Sequence, residues 1–199
     1  MKRSVSTIGL TAVFAALTYA GPVLPMIQTL PSSGNVSGSA GTVVGWGFTL
    51  SYTGPDFVVL NDSFFTGSTV FGNYIDYLTL AGAPLYVAGP APESSSVTQD
   101  WTPSATPPLG LGEFDLKSVV PPGPISGDIG VDYSIFSQDP NDPNFDPASF
   151  ISAGTLDVAV QINVVGAPEP ASILLIGAAI LSFCLLRRVH QPGAPGRIT

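Results

Sequence analysis

The feature that most constrains the fold is a strict alternation of apolar and polar residues in three stretches of the chain. In residues 44–52, every second residue is apolar and those between are glycine, threonine or serine. Residues 128–135 and 155–164 alternate in the same way. Since successive side chains of a strand point to opposite faces of a sheet, this period predicts antiparallel strands that each bury one face.

Shorter strands are predicted between these three. Residues 57–60 and 63–65 form one candidate, which Asn61 and Asp62 interrupt as a β-bulge would. Further candidates are 74–80, 85–88, 97–101 and 113–119, separated by turns rich in glycine and proline. No amphipathic helix is evident, and about seven to nine short strands are typical of a sandwich. We therefore predict an all-β domain, an antiparallel and jelly-roll-like β-sandwich.

The N-terminus has the layout of an export signal. Lys2 and Arg3 precede an apolar run over residues 8–20, which ends in Thr18–Tyr19–Ala20. A basic start, an apolar run and small residues before a cut are typical of a signal peptide. We predict a signal helix over residues 1–20, with the mature chain beginning at or near Gly21.

A second apolar run lies near the C-terminus. Residues 171–186 carry no charge, and Arg187 and Arg188 follow directly. As a helix the run is about 24 Å long, and the two arginines can snorkel to cover the rest of a core of roughly 30 Å. A core helix is the alternative, but the run lacks the polar stripe of such a helix. We predict one transmembrane helix, with residues 189–199 as a cytoplasmic tail.

Residues 21–166 remain as the domain outside the membrane, and their charge is one-sided. They contain thirteen of the fourteen acidic residues, whereas Lys117 is their only basic residue. Such a domain should repel nucleic acid and anionic lipid, so no nucleic-acid partner is predicted. The single cysteine, Cys184, lies in the membrane run, so no disulfide is predicted in this domain.

The residue types of this domain exclude several chemistries. Residues 21–166 contain no histidine, cysteine or arginine, because His190 and Cys184 lie beyond them. Catalytic triads and zinc sites built on histidine or cysteine are therefore excluded, and no catalytic residue is predicted. A glycosidase using two carboxylates about 5–10 Å apart stays open as the enzymatic alternative.

Two binding functions stay open as well. The loop after residue 138 offers the oxygen ligands that Ca²⁺ prefers, from Asp139, Asn141, Asp142, Asn144 and Asp146. It is not an EF-hand, and the alternative is a turn stiffened by Asp-Pro and Asn-Pro units. No other cofactor is predicted. Trp101, in a proline-rich stretch, is a candidate platform for a sugar ring, whereas Trp46 is predicted to lie in the core.

The C-terminal residues also resemble a known family. Pro168–Glu169–Pro170, the apolar run and then Arg187–Arg188 together resemble the PEP-CTERM sorting signal, over residues 167–188. The resemblance implies processing by an exosortase-type enzyme and insertion in the inner membrane through residues 171–186. Residues 42–48 and 139–146 are similar to ectodomains attached to this signal.

The resemblance implies an exported protein that is anchored in the cell envelope and then reaches the cell surface or the extracellular matrix. We predict a non-enzymatic role there, with extracellular polysaccharide as a candidate partner. A calcium- or carbohydrate-binding surface module is the alternative function, ahead of a carboxylate-dependent glycosidase.

Overall fold

The computed structural model describes residues 23–90 and 96–166. The predicted signal peptide, sorting signal, transmembrane helix and cytoplasmic tail lie outside the described residues. Within 23–90 and 96–166, no helix is long and apolar enough to cross a membrane.

Ten strands form two five-stranded sheets. The first sheet contains β1 (Met26–Leu30), β3 (Val43–Ser51), β5 (Gly72–Asp76), β7 (Ser96–Gln99) and β8 (Gly112–Leu116). The second contains β2 (Asn35–Ser39), β4 (Phe57–Phe65), β6 (Val87–Ala88), β9 (Gly123–Phe136) and β10 (Phe150–Val165). Two short 3₁₀ turns, Thr69–Phe71 and Pro147–Ser149, precede β5 and β10.

Strand β3 organises the first sheet and β9 the second. The strand order of the first sheet is β1-β3-β8-β5. β8 pairs with the first half of β3, and β7 pairs with the second half. The second runs β2-β10-β9-β4-β6. β10 and β9 form the longest ladder in the described residues, from Phe150 to Val164 of β10. The jelly-roll variant of the sandwich stays a prediction.

One pairing differs from the expected antiparallel arrangement. β2 runs parallel to the last part of β10, from Gln161 to Val165. The chain leaves β1 in the first sheet, turns at residues 31–34 and enters the second sheet as β2. The prediction of a wholly antiparallel sandwich was therefore wrong at this pair, because the chain changes sheets between two short strands that the alternation did not reveal.

The inner faces of both sheets share one core. Trp46, Phe48 and Leu50 of β3 are fully buried, and so are Ile129 and Val131 of β9. Burying each such side chain stabilises the fold by roughly 1.5–3 kcal/mol. The Trp46 Nε1–H donates to the Gly34 carbonyl oxygen at 2.9 Å, so the core also fixes the turn before β2. The predicted sandwich, with its alternating strands, is confirmed.

The short strands are confirmed with shifted ends. The register of β4 against β9 shifts between Leu60 and Asp62, which is the predicted bulge. β5 ends at Asp76, before the predicted end at residue 80, because the Asp76 carboxylate accepts hydrogen bonds from the Leu78 N–H and the Thr79 hydroxyl and so closes a turn. The predictions at 85–88, 97–101 and 113–119 correspond to the shorter β6, β7 and β8.

Candidate functional site

The predicted sorting residues come after the last strand of the sandwich in the sequence. Pro168, Glu169, Pro170, Arg187 and Arg188 lie outside the described residues. The part that is described ends with β10 at Val165 and then Gly166. No feature of the sandwich therefore bears on their predicted role.

The loop between β9 and β10 contains the five candidate calcium ligands. Asp139, Asp142 and Asp146 each accept a hydrogen bond at 2.8–2.9 Å from the backbone N–H two residues further along the chain. These are the contacts of carboxylates that cap turns. Among the described residues, no three His, Cys, Asp or Glu side chains converge as a metal site. The turn alternative thus has direct structural support, and calcium binding stays a prediction.

The same loop is anchored to the sandwich at both sides. The Gln138 amide accepts from the Asp146 N–H at 2.9 Å and donates to the Asn144 carbonyl oxygen at 3.0 Å. Phe136, at the end of β9, meets the rings of Phe145 and Phe150 edge to face, with centroids 5.1 and 5.8 Å away. The loop is therefore held by an aromatic cluster as well as by its own caps.

Two carboxylates meet on the outer face of the second sheet. Asp62, just after the bulge in β4, lies directly opposite Asp132 of β9. Thr155 of β10 donates to Asp132 Oδ1 at 2.5 Å. Partial burial raises the pKa of Asp62, and the charges of Asp132 and Asp76 and a hydrogen bond with Asp132 raise it further.

The surroundings of this pair bear on the glycosidase alternative. A glycosidase holds its two carboxyls on either side of the scissile bond, about 5 Å or more apart. Asp62 and Asp132 face each other along the surface of the sheet, in a shallow hollow of about 340 Å³. The pair therefore lacks a cleft that would enclose a sugar chain.

Trp101 lies against the outer face of the first sheet. Its indole covers Gly45 so closely that no side chain fits there, and the backbone of residues 99–101 does the same at Gly47. Nearby, the Tyr77 hydroxyl donates to Glu113, and burial together with this contact raises the Tyr77 pKa. Trp101 is half-buried, and its role as a platform for a sugar ring stays a prediction.

A groove of about 650 Å³ runs beside Trp101. Its lining includes Leu30, Val36 and Val43, and Asp100 is the one charged residue in it. An apolar wall with few polar groups is common in small-molecule sites. Carbohydrate binding here stays a prediction.

Comparison with known proteins adds little to this geometry. No protein-family model matches the chain, and no curated protein matches it. Among solved structures, it is similar to AggA, the major subunit of aggregative adherence fimbriae type I from Escherichia coli. That likeness has a TM-score of 0.35 and 9% identity, over 76% of this chain and 100% of that one. A cohesin–dockerin complex matches with a TM-score of 0.23 and 14% identity, over 71% and 100%. Neither score carries a functional argument.

Proposed function

We propose that the chain is an exported, non-enzymatic protein of the cell surface or extracellular matrix, sorted through its C-terminal tail. The observation that carries the proposal is the order of Pro168–Glu169–Pro170, an uncharged run and Arg187–Arg188 at the end of a chain that begins with an export signal. An exosortase-type enzyme would act on the tail while residues 171–186 hold it in the inner membrane.

The composition of the triplet supports this proposal. Pro168 and Pro170 lack backbone donors, so neither a helix nor a strand ladder can run through the triplet. β10 ends at Val165, and the triplet follows Gly166 and Ala167. A segment whose prolines exclude a helix and a strand ladder is one that a processing enzyme can bind.

A non-enzymatic role is supported by the residues that the sandwich contains. Residues 21–166 have no histidine, which is the usual general base of hydrolases. Asp62 and Asp132, which face each other across β4 and β9, lie in a shallow hollow and not in a cleft between two carboxyls. What the domain offers instead is a rigid two-sheet body with long ladders and open surfaces.

Substitution of Glu169 tests the proposed recognition. Glu169 is the only charge between Asp157 and Arg187, so it can mark the processing site at one height above the membrane. In an exosortase-positive host, Glu169→Gln should block tail processing and surface release while membrane insertion continues. Cell fractionation with intact-mass measurement reports both the signal cut near Gly21 and the tail cut.

Two controls separate recognition from topology. Asp115→Asn neutralises an exposed carboxylate of β8 and should be processed like the parent chain. Replacing Arg187 and Arg188 with alanine should weaken retention and orientation, because those arginines follow the span. Normal processing and release of Glu169→Gln would show that recognition does not read this charge. Uncut chain in the cytosol of the native host would overturn export altogether.

A further inference from the structure

The longest strand of the sandwich has an open edge. β10 runs from Phe150 to Val165, but β2 pairs only with its last part, from Gln161 onward. Over residues 150–160, no strand within 23–90 or 96–166 pairs with the side of β10 that faces away from β9. We call this side of residues 150–160 the open edge.

The direction of the free backbone groups follows from two contacts at the end of the open edge. The Gln161 N–H donates to the Gly34 carbonyl oxygen in the turn before β2, and the Ala159 carbonyl oxygen also faces Gly34. In a strand, the N–H and C=O of one residue share a side, and the side alternates with each residue. Ala153, Thr155 and Asp157 therefore direct both backbone groups to the open edge.

The open edge has little of the usual protection against pairing. Natural edge strands carry proline, lysine, several charges or a bulge, or are very short. β10 has one bulge, between Phe150 and Ser152, and its edge is regular from Ser152 onward. Residues 150–165 contain no proline and a single charge, Asp157. Leu156 and Val158, whose side chains point toward the core, are only half-buried. An added strand would satisfy the free backbone groups and cover these two side chains.

We infer that two copies of the chain pair antiparallel through the open edge of β10 and join their second sheets into one. A two-fold axis through Thr155 pairs residues 152–158 of both copies, which is the regular part of the open edge between the bulge after Phe150 and the turn at Gly34. Moving the axis one residue toward the C-terminus brings Ala159, whose carbonyl oxygen faces Gly34, into the ladder. Moving it the other way brings the bulge into the ladder.

The charge pattern agrees with this register. With the axis at Thr155, Asp157 of one copy lies opposite Ala153 of the second copy, so the two carboxylates do not face each other. Like charges directly opposite destabilise a strand pair, and small residues such as alanine and threonine allow close approach. Thr155 would lie opposite itself as a hydrogen-bonded pair, with Cα atoms about 5.5 Å apart. The inference does not depend on the sorting tail.

Cysteine cross-linking of the full-length chain tests the pairing. Cys184 is the only cysteine, so Cys184→Ser gives a background without thiols. In that background, Thr155→Cys should form a disulfide-linked dimer in an exporting bacterial host, because about 5.5 Å between Cα atoms is within the range of a disulfide. Thr69→Cys, at an exposed threonine of the 3₁₀ turn before β5, is the matched control and should stay monomeric on non-reducing gels.

Charge substitution at Ala153 tests the register independently of folding, because Ala153 is exposed. Ala153→Asp puts a carboxylate opposite Asp157 of the second copy and should lower the Thr155→Cys dimer yield, whereas Ala153→Lys should raise it. The two substitutions should differ roughly five- to tenfold in apparent dimer affinity. The inference is overturned if Thr155→Cys cross-links no better than Thr69→Cys, if both Ala153 variants behave alike, or if the cross-linked product contains a different protein.

Discussion

At the scale of single residues, the segment that packs onto β3 explains why two of its positions are glycine. Gly45 and Gly47 occupy the face of β3 that is turned away from the core, and the alternation explains them only as members of the polar face. In the structure, the Trp101 indole packs onto Gly45, and the backbone of residues 99–101 packs onto Gly47. These close approaches leave no space for a side chain and therefore require the two glycines.

Gly45→Ala should destabilise the domain. The added methyl group would overlap Trp101 Nε1 and lie 2.7 Å from the Gly112 carbonyl oxygen, so the indole or the backbone must move. We expect a loss of about 1–3 kcal/mol in the free energy of unfolding, measured by denaturant titration of residues 21–166. Gly166→Ala, where the nearest atom is 3.5 Å away, is the control and should change little. Equal stability of both variants would contradict the packing argument.

Asp62→Asn should stabilise the domain at neutral pH and not in acid. The pKa of Asp62 is raised in the folded state, so the folded protein binds this proton more tightly than the unfolded chain does. Stability from that proton is present below the usual Asp pKa near 3.9 and is lost as pH rises through the raised value. Removing a like charge opposite Asp132 should add about 0.5 kcal/mol at pH 7.

Thermal unfolding at several pH values measures this effect. Asp128→Asn is the control, since Asp128 lies on the same outer face of β9 but opposite Ala159. It should show no comparable gain at pH 7. A gain for Asp62→Asn that stayed constant down to pH 3 would show that carboxylate repulsion is not its cause.

At the scale of elements, substitutions in the loop between β9 and β10 can distinguish two roles of its carboxylates, capping turns and binding calcium. The Asp146 carboxylate accepts from the Ala148 N–H at 2.9 Å and begins the 3₁₀ turn Pro147–Ser149. An asparagine can make the same hydrogen bond but is a weaker calcium ligand. Asp146→Ala should therefore cost about 1 kcal/mol, and Asp146→Asn very little.

Melting temperatures with and without millimolar Ca²⁺ complete this test. A ligand that binds only the folded state must raise the melting temperature. If the carboxylates only accept hydrogen bonds within the loop, the parent chain and Asp146→Asn should have similar melting temperatures, and Ca²⁺ should change neither. A calcium-dependent rise that disappears in the double variant Asp142→Ala, Asp146→Ala would instead establish the calcium site.

At the scale of the whole molecule, the sandwich has two notable features. It has almost no basic residues, and one edge of its second sheet is only partly paired. Lys117 is the only basic residue of 21–166, and its Nζ donates to the Val70 carbonyl oxygen at 2.7 Å. The domain therefore depends on apolar burial and backbone ladders, with both sheets contributing to one core. β2 closes only one end of β10, which leaves the other end as the open edge.

The sequence by itself determined the strands that alternate strictly and the residues they bury. β3, the inner residues of β9 and the inner residues of β10 follow from a period of two, because each strand places one face against the core. The bulge at Asn61 and Asp62 was also predictable, since two polar residues interrupt an otherwise apolar strand. The absence of histidine and cysteine from residues 21–166 excluded whole classes of site without any coordinates.

Only the tertiary structure decided which strands are neighbours and where edges stay open. β1 and β2 are short and do not alternate clearly, so their local sequence indicates neither the strands nor the change of sheet between them. The opposition of Asp62 and Asp132 and the position of Trp101 over Gly45 join residues far apart in the chain. Such contacts depend on register and on packing between elements, which a local pattern of side chains does not encode.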